Sequence, residues 1–152
     1  MKSNAMRLLE ESSIQFVPHE YDISDGEIDG RSIARKLGKS NDEVFKTLVT
    51  QAPGPEYYVF VVPSSGELNL KKAAKAVGEK SIEMIKSKEL LPLTGYVHGG
   101  CSPIGMKKFF TTTVDVSAKE CETIIFSGGK IGYQVEVTPE NLGKVIRYEF
   151  AD

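Results

Sequence analysis

Cysteine is scarce in this chain. Its two thiols, Cys101 and Cys121, imply no disulfide framework, and that usage fits a reducing cytosol. An excess of positive charge is missing too: 19 Lys and Arg stand against 21 Asp and Glu, a formal net charge of -2. A protein that held nucleic acid mainly through phosphate contacts would be more basic. Any RNA contact is therefore expected to be local, weak for the protein alone, or shared with a partner, and DNA is not expected as a ligand. Long apolar runs are absent from the opening segment, MKSNAMRLLEESSIQ, so neither a signal peptide nor a membrane anchor is expected there. No HxxxH, CxxC or carboxylate cluster has metal-ligand spacing, so no metal or cofactor is expected. No repeat, low-complexity tract or linker interrupts the sequence.

What is present is an ordinary globular balance. The 152 residues, 40% hydrophobic and 26% charged, suffice for one domain, residues 1–152, with a real core. Ser3 or Asn4 is placed to cap a first helix over 4–12 that turns Met6 and Leu9 inward. A strand over 16–21 follows, then a polar loop. RSIARKLG reads as a helix with Ile33, Ala34 and Leu37 inward and Gly38 as its stop. VFKTLV (44–49) and YYVFVVP (57–63) read as strands, the second apolar on both faces and therefore central. NLKKAAKAVG reads as a helix capped by Asn69, with Leu70, Ala73, Ala74 and Val77 at helical spacing. SIEMIKSKELL reads as another helix. FFTTTVDV, TIIFSGG and YQVEV read as strands, and TPENLGKVI as a short helix with Pro139 in its first turn. The expected fold is a single α/β domain: a mixed, largely antiparallel, curved and barrel-like sheet with helices around it.

The stretch 98–108, HGGCSPIGMKK, holds most of the candidate chemistry. A nucleophile elbow needs G-x-S-x-G, but Ile104 stands where its second glycine should be, and Pro103 removes an N–H. A Cys–His or Ser–His pair with His19 or His98 is possible but has no order signature. The favoured reading of Cys101 is a small, partly buried residue. A phosphate loop starts well, with Gly100 and Gly105 at Walker spacing, then fails at Met106 and Lys108. What remains is a backbone cradle, with Gly99, Gly100 and Gly105 letting main chain approach a ligand. A second glycine cluster at 127–132, SGGKIG, could converge on the same group. From glycine alone, two tight turns explain these segments better.

Lys46 is the most informative single residue. It alternates onto the face of Val44 and Leu48, while Thr47 lies with Phe45 and Val49. Both faces are apolar, so Lys46 either snorkels out past the sheet or points into a polar pocket. Lys71, Lys72, Lys75, Lys107 and Lys108 read as solvated, with an RNA-facing patch as the sharper alternative.

Taken together, HEYD, RKLG, VFKTLV, GELNLKKAAKAVG, TGYVHGGCSPIGMKK and FSGGKIG, in this order, resemble the YbaK/EbsC family. These are bacterial Cys-tRNA(Pro) deacylases related to the editing domain of prolyl-tRNA synthetase. The resemblance runs from the first helix to near the C-terminus. It implies a cytoplasmic trans-editing enzyme that needs no cofactor and removes cysteine from tRNA(Pro), with Cys-tRNA(Cys) as a possible second substrate and prolyl-tRNA synthetase as partner. It implies catalysis by Lys46 with the loop residues Gly100, Cys101 and Ser102. It implies substrate binding by Tyr21, Thr47, Gly99, Pro103, Gly105, Ser127, Gly128 and Gly129. The expected attacking group is the substrate's own thiol, which releases a thiolactone, with loop N–H groups stabilising the oxyanion. Two positions depart from the family pattern. Gln134 stands where some members carry an aspartate, and Asp29 or a neighbour stands where an aromatic residue is found. Two other functions stay open: a water-based Ala-tRNA(Pro) deacylase, and a non-catalytic module that binds tRNA or synthetase.

Overall fold

The computed structural model describes residues 3–152. Ser3 caps helix α1 (Asn4–Glu11), its hydroxyl accepting from the Met6 N–H, and Ala5, Met6 and Leu9 are buried. After strand β1 (Val17–Glu20) comes α2 (Gly30–Leu37). Asp29 caps α2, and Gly38 ends it in the left-handed region at φ 69°. Strands β2 (Phe45–Gln51) and β3 (Tyr57–Pro63) form an antiparallel hairpin. Asn69 caps α3 (Leu70–Ala76), which buries Ala73 and Ala74. Leu70, expected to face inward, is exposed: it is the first residue of α3, one turn ahead of Ala73 and Ala74, the residues this helix buries.

The helix expected over 81–91 is corrected. Glu83–Met84 form a short edge strand, β4, paired with Thr50 and Gln51, and Ile82 is buried. The helix α4 begins only at Ser87 and runs to Thr94, past Pro92. Two isoleucines flank the edge strand, and a free β2 edge satisfies its backbone, so sheet pairing overrides local helix propensity. The Glu89 carboxylate accepts from the Lys86 N–H and marks the true start of α4.

Strand β5 (Thr111–Asp115) is shorter than the expected 109–116: Phe109 and Phe110 precede it, and Val116 opens a 3-10 turn (Val116–Glu120) capped by the Asp115 carboxylate, which accepts from the Ser117 N–H. Strands β6 (Ile124–Ser127) and β7 (Tyr133–Val137) pair antiparallel. The last helix, α5 (Pro139–Leu142), is shorter than expected, and a final strand, β8 (Glu149–Ala151), is not among the expected elements.

The strands make two sheets, in the orders β1-β7-β6 and β4-β2-β3-β5-β8. Pairing is antiparallel except for β3 with β5 and β5 with β8, which are parallel. The sheets meet at one parallel bridge, Val44 to Ile125, short of a closed barrel. The main core lies between them, where Phe45, Val61 and Val114 meet Ile124, Phe126, Val135 and α1. Beyond the bridge the β2 edge has no strand partner among the described residues until Thr50 pairs with Met84. A gap therefore opens where the sheets part, and the candidate site occupies it.

Candidate active site

The gap holds a cavity of about 210 Å³. Val44 and residues 45–48 of β2 make one wall, and Ser127 and Gln134 make the opposite one. Residues 28–30 with Ile33, and His98, Gly99, Cys101 and Leu90, complete it. Strand alternation explains the far wall. Ser127 and Gln134 are register partners in β6 and β7 and face away from the main core, whereas Phe126 and Val135 fill it. Gly30 fixes the near wall, because a Cβ there would lie 2.0 Å from the Ser64 hydroxyl, which itself donates to the Val44 carbonyl.

Lys46 lines this cavity, and its ammonium forms no hydrogen bond or ion pair with any described residue. The one carboxylate in the wall, Asp29, is occupied as the α2 cap. It accepts from the Ser32 N–H at 2.9 Å and the Ser32 hydroxyl at 3.0 Å, and those bonds hold its pKa below the ordinary value. Two further polar atoms are buried without a partner among the described residues: the Thr47 hydroxyl and the Gln134 side-chain carbonyl. Gln134 is only 2% exposed, so its unpaired oxygen is expensive unless a ligand donates to it.

The cradle residues divide into groups. Gly99 has φ +87°, and a Cβ on it would lie 2.7 Å from Ile28. The N–H groups of Gly99, Cys101 and Ser102 donate to no acceptor among the described residues, and Gly99 and Cys101 line the cavity. Gly100 does not belong to this donor set, because its N–H is used on the Val97 carbonyl at 2.9 Å. Its role is packing: a Cβ there would press on the Lys130 and Ile131 backbone at 3.1–3.4 Å. The two glycine segments do converge, but on each other. Gly105 packs on Asn4, Leu8 and Tyr96, Gly128 on Met6, and Gly129 on Tyr96. Pro103 and Gly105 line a different cavity, and Tyr21 is buried beside α2 with its hydroxyl unpaired. Of the residues singled out from sequence, the cavity thus gathers Lys46, Thr47, Gly99, Cys101 and Ser127. It leaves Tyr21, Gly100, Ser102, Pro103, Gly105, Gly128 and Gly129 outside its lining.

Nothing in the wall is built as a protein nucleophile. Cys101 is 8% exposed, and burial pushes its thiol up to about 12 despite a hydrogen bond with Thr94. A thiol in that state carries almost no thiolate near neutral pH. Ser102 is fully buried, and its hydroxyl accepts from the Ile104 N–H. His98 is exposed at the rim and bonds to neither. Among the described residues no cluster of three or more His, Cys, Asp or Glu could hold a metal, and no helix is long and apolar enough to cross a membrane.

Gln134 and Asp29, noted in the sequence only as departures from a family pattern, both prove to be wall residues. The local signal for Gln134 is the alternation in YQVEV, which sets it on the opposite face from Val135; that this face lines a cavity with Ser127 depends on the sheet pairing.

Comparison with known proteins supplies the family. Residues 31–145 match the aminoacyl-tRNA editing domain. EbsC of Enterococcus faecalis, a candidate Cys-tRNA(Pro)/Cys-tRNA(Cys) deacylase, is 42% identical over 151 residues, which cover 99% of this chain and 92% of EbsC. The proline–tRNA ligase of Shouchella clausii is 28% identical over 117 residues, covering 76% of this chain but only 20% of the ligase. Among solved structures, a candidate trans-editing enzyme for prolyl-tRNA synthetase has a TM-score of 0.84 at 23% identity, covering 100% of this chain and 98% of its own. A hypothetical protein reaches 0.89 at 21% identity, covering 99% and 98%, and both likenesses speak to the fold alone. The chain belongs to the aminoacyl-tRNA editing domain family and is an enzyme that acts on aminoacyl-tRNA.

Proposed function

We propose that the protein, as one editing domain working in the cytosol, is a trans-editing deacylase that removes cysteine from Cys-tRNA(Pro), with Cys-tRNA(Cys) as a second substrate. The observation that carries this reading is a wall rich in unpaired polar groups but poor in nucleophiles. The one thiol in the wall is held protonated, and the buried Ser102 hydroxyl lies outside the lining. Such a cavity suits a substrate that brings its own attacking group.

In this mechanism the cysteinyl thiol loses its proton to water, and its sulfur attacks the carbonyl carbon of its own ester. The tetrahedral oxyanion is held by the free Gly99 and Cys101 N–H groups. The intermediate collapses with cleavage of the bond to the ribose oxygen, which takes a proton. The product is a four-membered thiolactone that water later opens to cysteine. Proximity provides the acceleration, since well-placed intramolecular groups reach effective molarities of roughly 10⁵ M or more. Gln134 accepts from the substrate ammonium, Thr47 bonds the ester region, and Lys46 holds the ester or the terminal phosphate electrostatically. A cavity of about 210 Å³ takes the aminoacyl group and leaves the terminal adenosine at its mouth.

Two further points support the substrate: the 42% identity to EbsC and the local match to a proline–tRNA ligase. The test is deacylation of purified Cys-tRNA(Pro), with and without prolyl-tRNA synthetase. Cleavage by the protein, enhanced by synthetase, is expected. Complex formation without ester cleavage would make the chain a binding module.

A further inference from the structure

The segment that leaves the cavity at Cys101 builds a second one. Pro103, Gly105, Met106, Lys108, Phe109 and Phe110 line a cavity of about 170 Å³, closed by Thr112, Val145 and Ile146. Phe109 is 59% exposed, a large aromatic that the core does not need. Lys108 stands over the Phe110 ring at 5.4 Å. Lys144 and Arg147, exposed and without an ion-pair partner among the described residues, flank Val145 and Ile146 in sequence. No carboxylate lines this cavity. Three others each carry at least one: Glu67, Asp115 and Asp152 in one, Glu83 and Glu89 in another, Asp29 in the active site. In a chain of net charge -2, a carboxylate-free aromatic surface edged by cations is a local exception.

We infer that this surface binds the single-stranded 3′ segment of the tRNA, a base stacking on Phe109 while Lys108, with Lys144 and Arg147 nearby, meets the phosphates. The inference rests on the proposed editing function and deepens it. Three arguments select this occupant. Every base has a π-face, so an exposed ring beside cations suits single-stranded RNA without demanding a sequence. The charge is complementary to phosphate, and no carboxylate lines this cavity to oppose it, which suits a local contact in a protein too acidic to attract RNA in general. Finally, the eight residue steps from Cys101 to Phe109 span at most about 29 Å. A strand whose aminoacyl end enters the first cavity thus has its preceding nucleotides within reach of the second.

The test uses the full chain and a fluorescent single-stranded RNA ending in CCA, titrated by anisotropy at low salt. It is paired with kinetics on Cys-tRNA(Pro) and on cysteinyl-adenosine, which lacks the upstream nucleotides. Phe109→Ala should weaken RNA binding and lower kcat/KM on Cys-tRNA(Pro) about tenfold, the scale of losing one base stack. Turnover of cysteinyl-adenosine should be unchanged. Lys108→Gln should weaken binding less and flatten its salt dependence. Both side chains are exposed, so both variants should unfold at the wild-type temperature, which is checked by thermal melting. Unchanged RNA affinity in Phe109→Ala, equal losses on both substrates, or loss of synthetase binding with RNA binding intact would each overturn the inference. So would a wild-type protein that does not bind the oligonucleotide. If wild type cleaves neither substrate, the editing function fails, and the anisotropy titration still decides for or against the RNA surface.

Discussion

The two glycine-rich segments look interchangeable in sequence and do opposite jobs in the fold. At 98–102 the N–H groups of Gly99, Cys101 and Ser102 are left unpaired, two of them in the cavity wall. At 127–132 the backbone is already used: Gly128 donates to the Tyr133 carbonyl and Gly129 to the Ser127 hydroxyl. Gly128 and Gly129 give up their side chains so that Met6 and Tyr96 can lie against them. One segment leaves its donors free beside the cavity, and the other packs against the N-terminal helix and Tyr96. Only the side chain of Ser127 crosses from the second role to the first. Glycine content says that backbone must come close to something. The hydrogen-bond inventory says whether that something is substrate or the protein itself.

Glycine variants should break this comparison with the largest effects. Gly100→Val should lose at least about 100-fold in kcat/KM, because it forces the 98–102 loop off the Lys130 and Ile131 backbone and misplaces the oxyanion donors. Gly129→Ala should instead cost stability. Its Cβ would sit 2.9 Å from the Tyr96 ring, at φ +96°, a loss of roughly 1–3 kcal/mol. The folded fraction should keep near-normal activity. Melting curves beside kinetics separate the two. Equal activity losses at matched stability would erase the division of labour.

Lys46→Ala comes next. With no carboxylate to leave stranded, the variant should fold normally yet lose on the order of 100-fold in activity, if the ammonium meets charge developing on the substrate. A wild-type rate in the folded variant would move Lys46 out of the site.

The smallest effect should be that of Cys101→Ala, within about threefold in activity, since the residue contributes its backbone. The pH–rate profile should follow the substrate thiol and keep its midpoint in the variant, because the Cys101 thiol titrates only near 12. Stability supplies a second readout. The folded thiol titrates above its ordinary value, so the associated stability is intact below that value, near 9, and drains away as pH rises from there towards 12. The variant should lack this alkaline decline. A trapped acyl-enzyme on Cys101 would restore the nucleophile.

Much of this was legible in the sequence, for identifiable reasons. Helix caps at Ser3, Asn69 and Gly38 are local signals, and the structure uses all three. The central β3 was readable because both its faces are apolar. Residues 81–86 were not, because their strand pairing depends on a free edge of β2, distant in the chain. For the site, Lys46 stood out as a lysine inside an apolar strand. The fate of Gly100 did not, because its N–H bonds within its own loop and its Cα meets a segment thirty residues later. Nor did the wall position of Gln134, which depends on two sheets parting at a single bridge.

The central claim is that the substrate's sulfur performs the attack, and a comparison of Cys-tRNA(Pro) with Ala-tRNA(Pro) tests it most directly. Alanine is no larger than cysteine, and a pocket separates near-isosteres by only about 10²-fold through binding. Chemistry must do the remaining rejection. With product quenched early in ¹⁸O-labelled water, the account predicts unlabelled thiolactone from the cysteinyl substrate and almost no cleavage of the alanyl one. Labelled free cysteine appearing at once, or equal rates for the two substrates, would contradict it and make water the nucleophile.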